Sequence, residues 1–402
     1  MPNNFSYTAR DQSGKMVRGV MTAESELDLA KKVSNLGYYF TGAKAARTEQ
    51  AAASGIGRVK QRDLIMFTMH MATLLNAGVP LLTGLSDLES DSSDKNMQSL
   101  LGDVRRQIET GATFAESLEL HKGIFSPLYI SSVKSGESTG NLNVVLEGLA
   151  AYLEWQEDLK KKIKEAATYP IILGTALLGL GILLIARVVP VFEKVFTEIN
   201  IDLPLITKII IITSRLFQQF WLLLLFIVIG VVVGIKLYGK TVNGRYKIDR
   251  YKLRIPVFGS LIHKVILSRF AHTMSMGINS GVSVIKCLEI SAEVAGNAYV
   301  KKAIDSCQDN INIGKKISES MAETGVFPVL VLRMVSVGEQ AGVLGESLDK
   351  VNSFYDREIP DTIRAIFAII EPMMIVIMGV MVALIALSIF LPLVKIVESI
   401  GG

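Results

Sequence analysis

Apolar positions follow two rhythms along this chain. In the first, Leu64, Phe67, Met71, Leu74 and Leu75 recur at three- and four-residue spacing and line one face of a helix. In the second, polar residues give way to long apolar runs: Thr168 to about Pro190 with no charge before Arg187, Leu216 to Ile235, and Pro372 to Val394. About 20 apolar residues cross a bilayer, so these runs predict membrane spans at 168–190, 216–238 and 366–394. The soluble stretches between them predict helical bundles over 58–167 and 239–365, with a loop at 191–215 and a tail at 395–402. Glycine and proline in Asn76-Ala77-Gly78-Val79-Pro80 end the first helix. Ser86 to Asp94 suits a helix end and turn, Thr113 to Leu120 a short helix, and a long helix starts near Leu142 and passes Trp155. Residues 1–57 read as a small α+β region: strands at Phe5–Ala9 and Val17–Met21 about a turn at Asp11 to Gly14, and a helix from Ser25 to Leu36 capped by Ser25. A linker from Ala43 to Gly57 follows. The fold class expected is an all-α membrane protein with two cytoplasmic bundles of about six helices and this small appendage.

Comparison of the chain with itself exposes a duplication. Phe67, Met71, Asn76, Gly78, Leu85, Gly111, Glu116 and Ser117 recur 203 positions later as Phe270, Met274, Asn279, Gly281, Leu288, Gly314, Glu319 and Ser320. After a one-residue deletion the offset is 202, pairing Phe125, Val133 and Leu146 with Phe327, Val335 and Leu348, and Pro170 and Pro190 with Pro372 and Pro392. Each unit thus joins a helical domain to a span, and the second span has no counterpart. Lysine and arginine set the orientation. Lys160, Lys161, Lys162 and Lys164 precede the first span, and seven basic residues from Lys236 to Arg254 follow the second, whereas 191–215 carries only Lys194, Lys208 and Arg215. Both soluble domains and the N-terminus are then cytoplasmic, and the C-terminus is periplasmic. An even number of spans between the two copies requires the same arrangement. The basic run at 236–254 reads as a topology signal touching anionic lipid.

Composition adds little chemistry. Of 402 residues 50% are hydrophobic and 20% charged, and the net charge of +4 makes no case for nucleic acid. Met1 to Ala9 is polar, so insertion is expected to use an internal segment. Cys287 and Cys307 do not make a disulfide framework and are expected as small buried or half-buried side chains, and His70, His121, His263 and His272 have no metal-ligand spacing. Gly14-Lys15 and Gly314-Lys315-Lys316 lack the rest of a phosphate-binding loop. No catalytic, metal or cofactor site is expected. Where the chain enters the bilayer, Pro170, Glu371 and Pro372 stand out, and the repeat counterpart of Glu371 is Tyr169. The best interaction candidates are the paired turns Gly136, Glu137, Gly140 and Gly338, Glu339, Gly342, which equally suit a helix–turn–helix joint. Gly174, Gly179 and Gly181, and Gly230-x-x-x-Gly234, permit close helix contact, either in a homo-oligomer or within one protomer.

Taken in order, Leu74 to Pro80, Gly136-Glu137 with Gly140, Lys162 to Pro170 leading to Pro190, Gly338-Glu339 with Gly342, and Glu371-Pro372 leading to Pro392 form a recognisable pattern. So does the opening Tyr7-Thr8-Ala9-Arg10-Asp11 with Gly14-Lys15. The chain resembles the F family of inner-membrane platform proteins in type II secretion and type IV pilus systems over nearly its whole length. It departs at Ser126, where the family's first unit often has proline; the second unit keeps Pro328. The resemblance implies a non-enzymatic platform in the bacterial inner membrane. Its partners would be a cytoplasmic secretion ATPase, pilin or pseudopilin, and other inner-membrane assembly proteins. A solute transporter built from an internal repeat is the competing expectation, although three nearly aliphatic spans leave little room for a midplane site.

Overall fold

The computed structural model describes residues 3–10, 16–23, 26–35, 38–45, 57–198 and 204–400. They divide into two units, Met1–Glu147 and Gly148–Gly402.

The first unit opens with strands β1 (Asn3–Arg10) and β2 (Met16–Ala23), helix α1 (Glu26–Asn35) and strand β3 (Tyr39–Ala45). The sheet order is β2-β1-β3, antiparallel throughout, with Phe5 opposite Met21 and Ala45 and a register shift between Thr8 and Ala9. Leu29 of α1 and Ala9 of β1 are fully buried where the helix covers the sheet. The third strand takes residues expected partly as linker; its Gly42 and alanines carry weak strand signal, and pairing with β1 decides it. The expected turn at Asp11 to Gly14, the Ser25 cap and most of the linker lie outside the described residues.

Helices α2 (Gln61–Asn76), α3 (Leu81–Asp91), α4 (Lys95–Glu109), α5 (Phe114–Glu119), α6 (Pro127–Thr139) and the start of α7 (Leu142–Leu183) form the first bundle. Their ends follow from local chemistry. Gly78 turns the chain at φ 80° after α2. Asp94 accepts the Asn96 and Met97 amides at the start of α4, and Ser126 accepts the Tyr129 amide at the start of α6. The Ser126 departure is thereby explained: serine supplies the cap and Pro127 moves into the first turn, whereas Pro328 precedes the matching helix with no side-chain cap. Ser86 to Asp91 is helical rather than a turn, because Leu85 locks α3 into the core and its polar face points to water.

The second unit continues α7 into the first span. A π-helical turn at Leu184–Val188 leads into α8 (Val189–Glu198), and α9 (Leu205–Tyr238) forms the second span. The segment expected as a loop at 191–215 is therefore helical at 191–198 and from Leu205; it is amphipathic, with Thr207 and Ser214 turned inward. Pro190 does not end the helix. The preceding π turn widens the backbone where its ring would strike the Ala186 carbonyl. After α10 (Val242–Lys252), helices α11 (Phe258–Asn279), α12 (Val284–Val294), α13 (Ala298–Asn312), α14 (Ile317–Glu323) and α15 (Val329–Ala341) lead to α16 (Leu344–Ile400). This last helix contains Pro360, Pro372 and Pro392 and runs through the third span into the segment expected as a tail. Helices α2–α7 and α11–α16 give six per repeat among the described residues, with α10 as an addition.

The repeat-matched apolar residues are the cores. Phe67, Met71, Leu85, Phe125, Val133 and Leu146 are buried in one bundle, and Phe270, Met274, Leu288, Phe327, Val335 and Leu348 in the other. The matched serines, Ser117 and Ser320, are buried too, and each satisfies its hydroxyl on a backbone carbonyl of its own helix start, Phe114 and Lys316. Cys287 and Cys307 are buried and unpaired, and burial pushes their thiols up to about 12 and about 11. Across the spans the pattern inverts: Ile171, Leu178, Phe226, Val376 and Phe390 are exposed, as lipid-facing residues must be.

Candidate interaction site at the paired glycine–glutamate turns

The pattern Gly-Glu-x-x-Gly sits at the joint between α6 and α7 and again between α15 and α16, and each joint is built the same way. Gly140 and Gly342 adopt left-handed backbone at φ 73° and close the preceding helix onto the carbonyls of Gly136 and Gly338. Gly136 and Gly338 are buried where the next helix leaves. A Cβ at Gly136 would lie 2.9 Å from a Val145 methyl, and one at Gly338 would lie 2.8 Å from the Leu344 Cα, so neither helix could start there with a larger residue.

The glutamates between them face inward. Glu137 accepts the amides of Phe114 (2.8 Å) and Ala115 (3.1 Å), the first turn of α5. Glu339 accepts the amides of Ile317 (2.6 Å) and Ser318 (3.1 Å) and the Ser318 hydroxyl (2.7 Å), the first turn of α14. A carboxylate at a helix N-terminus meets unsatisfied N–H groups and the positive end of the dipole. Partial burial pushes the Glu339 carboxyl up, but the Ser318 hydroxyl, the two amides and nearby Lys316 outweigh it and hold it below the usual carboxylate range. Both glutamates thus clamp a short helix onto the joint, and the exposed positions are the tips, Ser138 to Asn141 and Gln340 to Val343. The spacing of 22 to 23 residues between clamp and clamped helix leaves no periodic sign in the sequence.

The residues at the membrane mouth also meet. Pro170 and Pro372 lie within unbroken helices, and the Tyr169 hydroxyl reaches Glu371 at 3.5 Å, the outer limit of a hydrogen bond. These two are repeat counterparts, 202 positions apart. Their chemical mismatch acquires a reason, since two glutamates at that point would face each other as like charges.

Sequence reasoning missed one cluster. The Trp155 ring stacks on His272 at 3.7 Å and donates Nε1–H to Asp356 at 2.8 Å, while His272 Nε2 lies 3.2 Å from the same oxygen. Burial pushes the Asp356 carboxyl up, but the contacts with His272 and Trp155 outweigh it and hold it low. The available signal was the separation of Trp155 and Asp356, 201 positions, within one residue of the repeat offset. Among the other histidines, His121 lies 3.0 Å from Asp103 and His263 lies 3.0 Å from the Val326 carbonyl. The described residues hold no cluster able to bind a metal ion.

Two stretches of this chain, residues 67–190 and 270–392, each match the family described as type II secretion system (T2SS), protein F. Residues 1–44 match the N-terminal domain of that protein. The chain belongs to the type II secretion system protein F family. The two matches begin at Phe67 and Phe270 and end at Pro190 and Pro392, so this F-family chain carries its duplication as bundle plus span, with α9 between the copies. It is 35% identical to the type IV pilus assembly protein PilC of Thermus thermophilus, covering 99% of both chains. It is 33% identical to PilC of Myxococcus xanthus over 98% of this chain and 95% of that one. It is 30% identical to type II secretion system protein F of Pseudomonas aeruginosa, covering 99% of both. Membership in this F family and three apolar helices of bilayer length support an inner-membrane location.

Proposed function

We propose that this F-family chain is an inner-membrane assembly platform of a type IV pilus or type II secretion machine. It passes displacement from a cytoplasmic ATPase to pilin or pseudopilin subunits and hydrolyses nothing itself. The carrying observation is the continuity of α16, whose 57 residues run from the core of the second bundle through the third span. At 1.5 Å per residue that is a rod of about 85 Å. Leu348, Val351, Tyr355 and Ile359 fix one end of the rod in the bundle, and Val376, Val380 and Phe390 meet lipid at the other. A force applied to the bundle is therefore delivered to the bilayer without an intervening joint.

In this reading both bundles and the N-terminus face the cytoplasm, as the basic flanks of the spans favour, and the C-terminus is periplasmic. The exposed tips of the glycine–glutamate turns offer the contact to the ATPase, while Glu137 and Glu339 hold the tips in shape. The test is co-purification of the full chain with the secretion ATPase of the same machine. Binding is expected from wild-type protein and lost from a variant carrying Ser138→Arg and Gln340→Arg, with membrane levels unchanged. Undiminished binding would place the contact elsewhere, and solute flux through reconstituted vesicles would overturn the platform reading.

A further inference from the structure

The segment following the second span carries seven lysines and arginines from Lys236 to Arg254 against one acidic residue, Asp249. Asp249 is already occupied: it accepts from Lys252 Nζ at 2.8 Å and from the Ala298 amide at 2.9 Å. No ion pair involves Lys247 or Arg254 among the described residues, and Arg250 has only the face of the Tyr299 ring, at 5.7 Å. Lys247, Arg250 and Arg254 follow one another at three- and four-residue spacing and line, with Asn243, Tyr246 and Tyr251, a pocket of about 370 Å³.

A second hollow, of about 480 Å³, adjoins it through Tyr251. Its wall is mostly apolar: Gly234, Ile235 and Tyr238 from the end of the span, and Ile248 and Ile255 from α10 and the turn after it, with Lys252, whose Nζ is taken by Asp249, at its side. The geometry is pre-formed. A Cβ on Gly244 would collide with the Tyr238 carbonyl, so α10 lies tightly against the end of α9, and Asn297 ties it to α13 through the Asp249 carbonyl at 3.1 Å. Tyr251 at the end of α10, Ile255 and Val257 in the turn that follows, and Phe258 at the start of α11 are exposed, and Val257 is held at φ 70°, a conformation that β-branched residues avoid. Apolar and aromatic groups interleaved with cations at a span end are what a bilayer interface accommodates.

We propose that these two hollows form one binding site for an anionic glycerophospholipid, with its phosphate held by Lys247, Arg250 and Arg254 and an acyl chain laid in the slot beside Gly234. The occupant follows from the juxtaposition. A cationic pocket alone would take any phosphate, and an apolar slot alone any hydrocarbon. A phospholipid carries both in adjoining positions, and the slot opens at the end of a span, where its acyl chains lie. The surplus of positive charge selects an anionic headgroup over a zwitterionic one.

The test is native mass spectrometry of the full chain, delipidated in detergent and titrated with phosphatidylglycerol or with phosphatidylcholine of the same acyl chains. Phosphatidylglycerol is expected to bind at least tenfold more tightly. Substituting Lys247→Gln, Arg250→Gln and Arg254→Gln together should weaken it by about fivefold per charge. Gly234→Leu should weaken it at least fivefold by filling the slot; no atom lies within 4 Å of a Cβ there, so the folded chain accommodates the side chain. Lys122→Gln with Lys134→Gln should change nothing. Equal binding of the two lipids, or wild-type binding by both site variants, would overturn the proposal. Competition by glycerol 3-phosphate at the concentration at which phosphatidylglycerol binds would show a free phosphate site instead.

Discussion

Replacing Glu339 with glutamine removes the charge from a clamp and leaves its shape. The carboxylate takes two amides and a hydroxyl at the start of α14. Glutamine has one acceptor oxygen, and its NH2 group would face an amide that also needs an acceptor. Hydrogen bonds to a charged group contribute about 1.5–3 kcal/mol and a helix cap about 1 kcal/mol. Partial exposure of Glu339 lowers this to about 1–2 kcal/mol for the variant, a five- to thirtyfold rise in local opening. Hydrogen exchange followed by mass spectrometry on the full chain reads this directly. Amides of α14 should lose protection by that factor at neutral pH, while those of α12 and α13 stay as they were. The acid response fixes the sign. The folded Glu339 carboxyl lies below the usual carboxylate value, so its contribution is complete above that value and is lost as pH falls through the folded one. Wild type and variant should therefore converge once the pH has fallen through that folded value. Unchanged protection of α14 at neutral pH would refute the clamp, and a deficit that persisted in acid would refute its electrostatic origin.

Gly342→Ala places a Cβ on backbone at φ 73° and should cost about 1–2 kcal/mol, seen as a lower melting temperature in detergent. Tyr169→Glu sets a second carboxylate against Glu371 and should reduce the amount of protein in the membrane, while Tyr169→Phe should be tolerated. Asp356 is likewise held low when folded, so its support is present at neutral pH and lost as pH falls through its folded value. In a Trp221→Phe background the Trp155 fluorescence should shift there. Cys287 and Cys307 should resist iodoacetamide at pH 8 in the folded protein and react once it is unfolded, because the thiols are buried and held protonated.

The residues that announced the fold are those whose spacing is set by burial on one face. Phe67, Met71 and Leu85 and their counterparts Phe270, Met274 and Leu288 were readable because helix geometry and duplication imposed the same pattern twice. Pro190 misled where proline usually informs: it bounds the expected first span, yet the widened turn before it lets the helix continue. Pro360, Pro372 and Pro392 likewise lie inside α16, where a bilayer setting tolerates them. The helical extensions at 191–198 and from Leu205 were read as loop because they fill the gap between two apolar runs that are each long enough to span. In the structure Ser214 binds the Ile185 carbonyl, Thr207 the Ser388 carbonyl, and Arg215 pairs with Glu193. At the glycine–glutamate turns the glycines were legible as joints. The task of Glu137 and Glu339 was not, because a contact to an amide more than 20 residues away follows from packing alone.

The proposed role stands on the rod that joins bundle to bilayer. The direct measurement is pilus or pseudopilus assembly by a chain with Gly-Gly-Gly-Ser inserted after Ala368 in α16, past the last core contacts at Ile363 and Phe367 and ahead of Pro372. The insertion should leave membrane level and ATPase binding intact and reduce assembly at least tenfold, since a flexible joint transmits no displacement. Assembly at the wild-type rate, with the insertion in place and the ATPase still bound, would contradict the account.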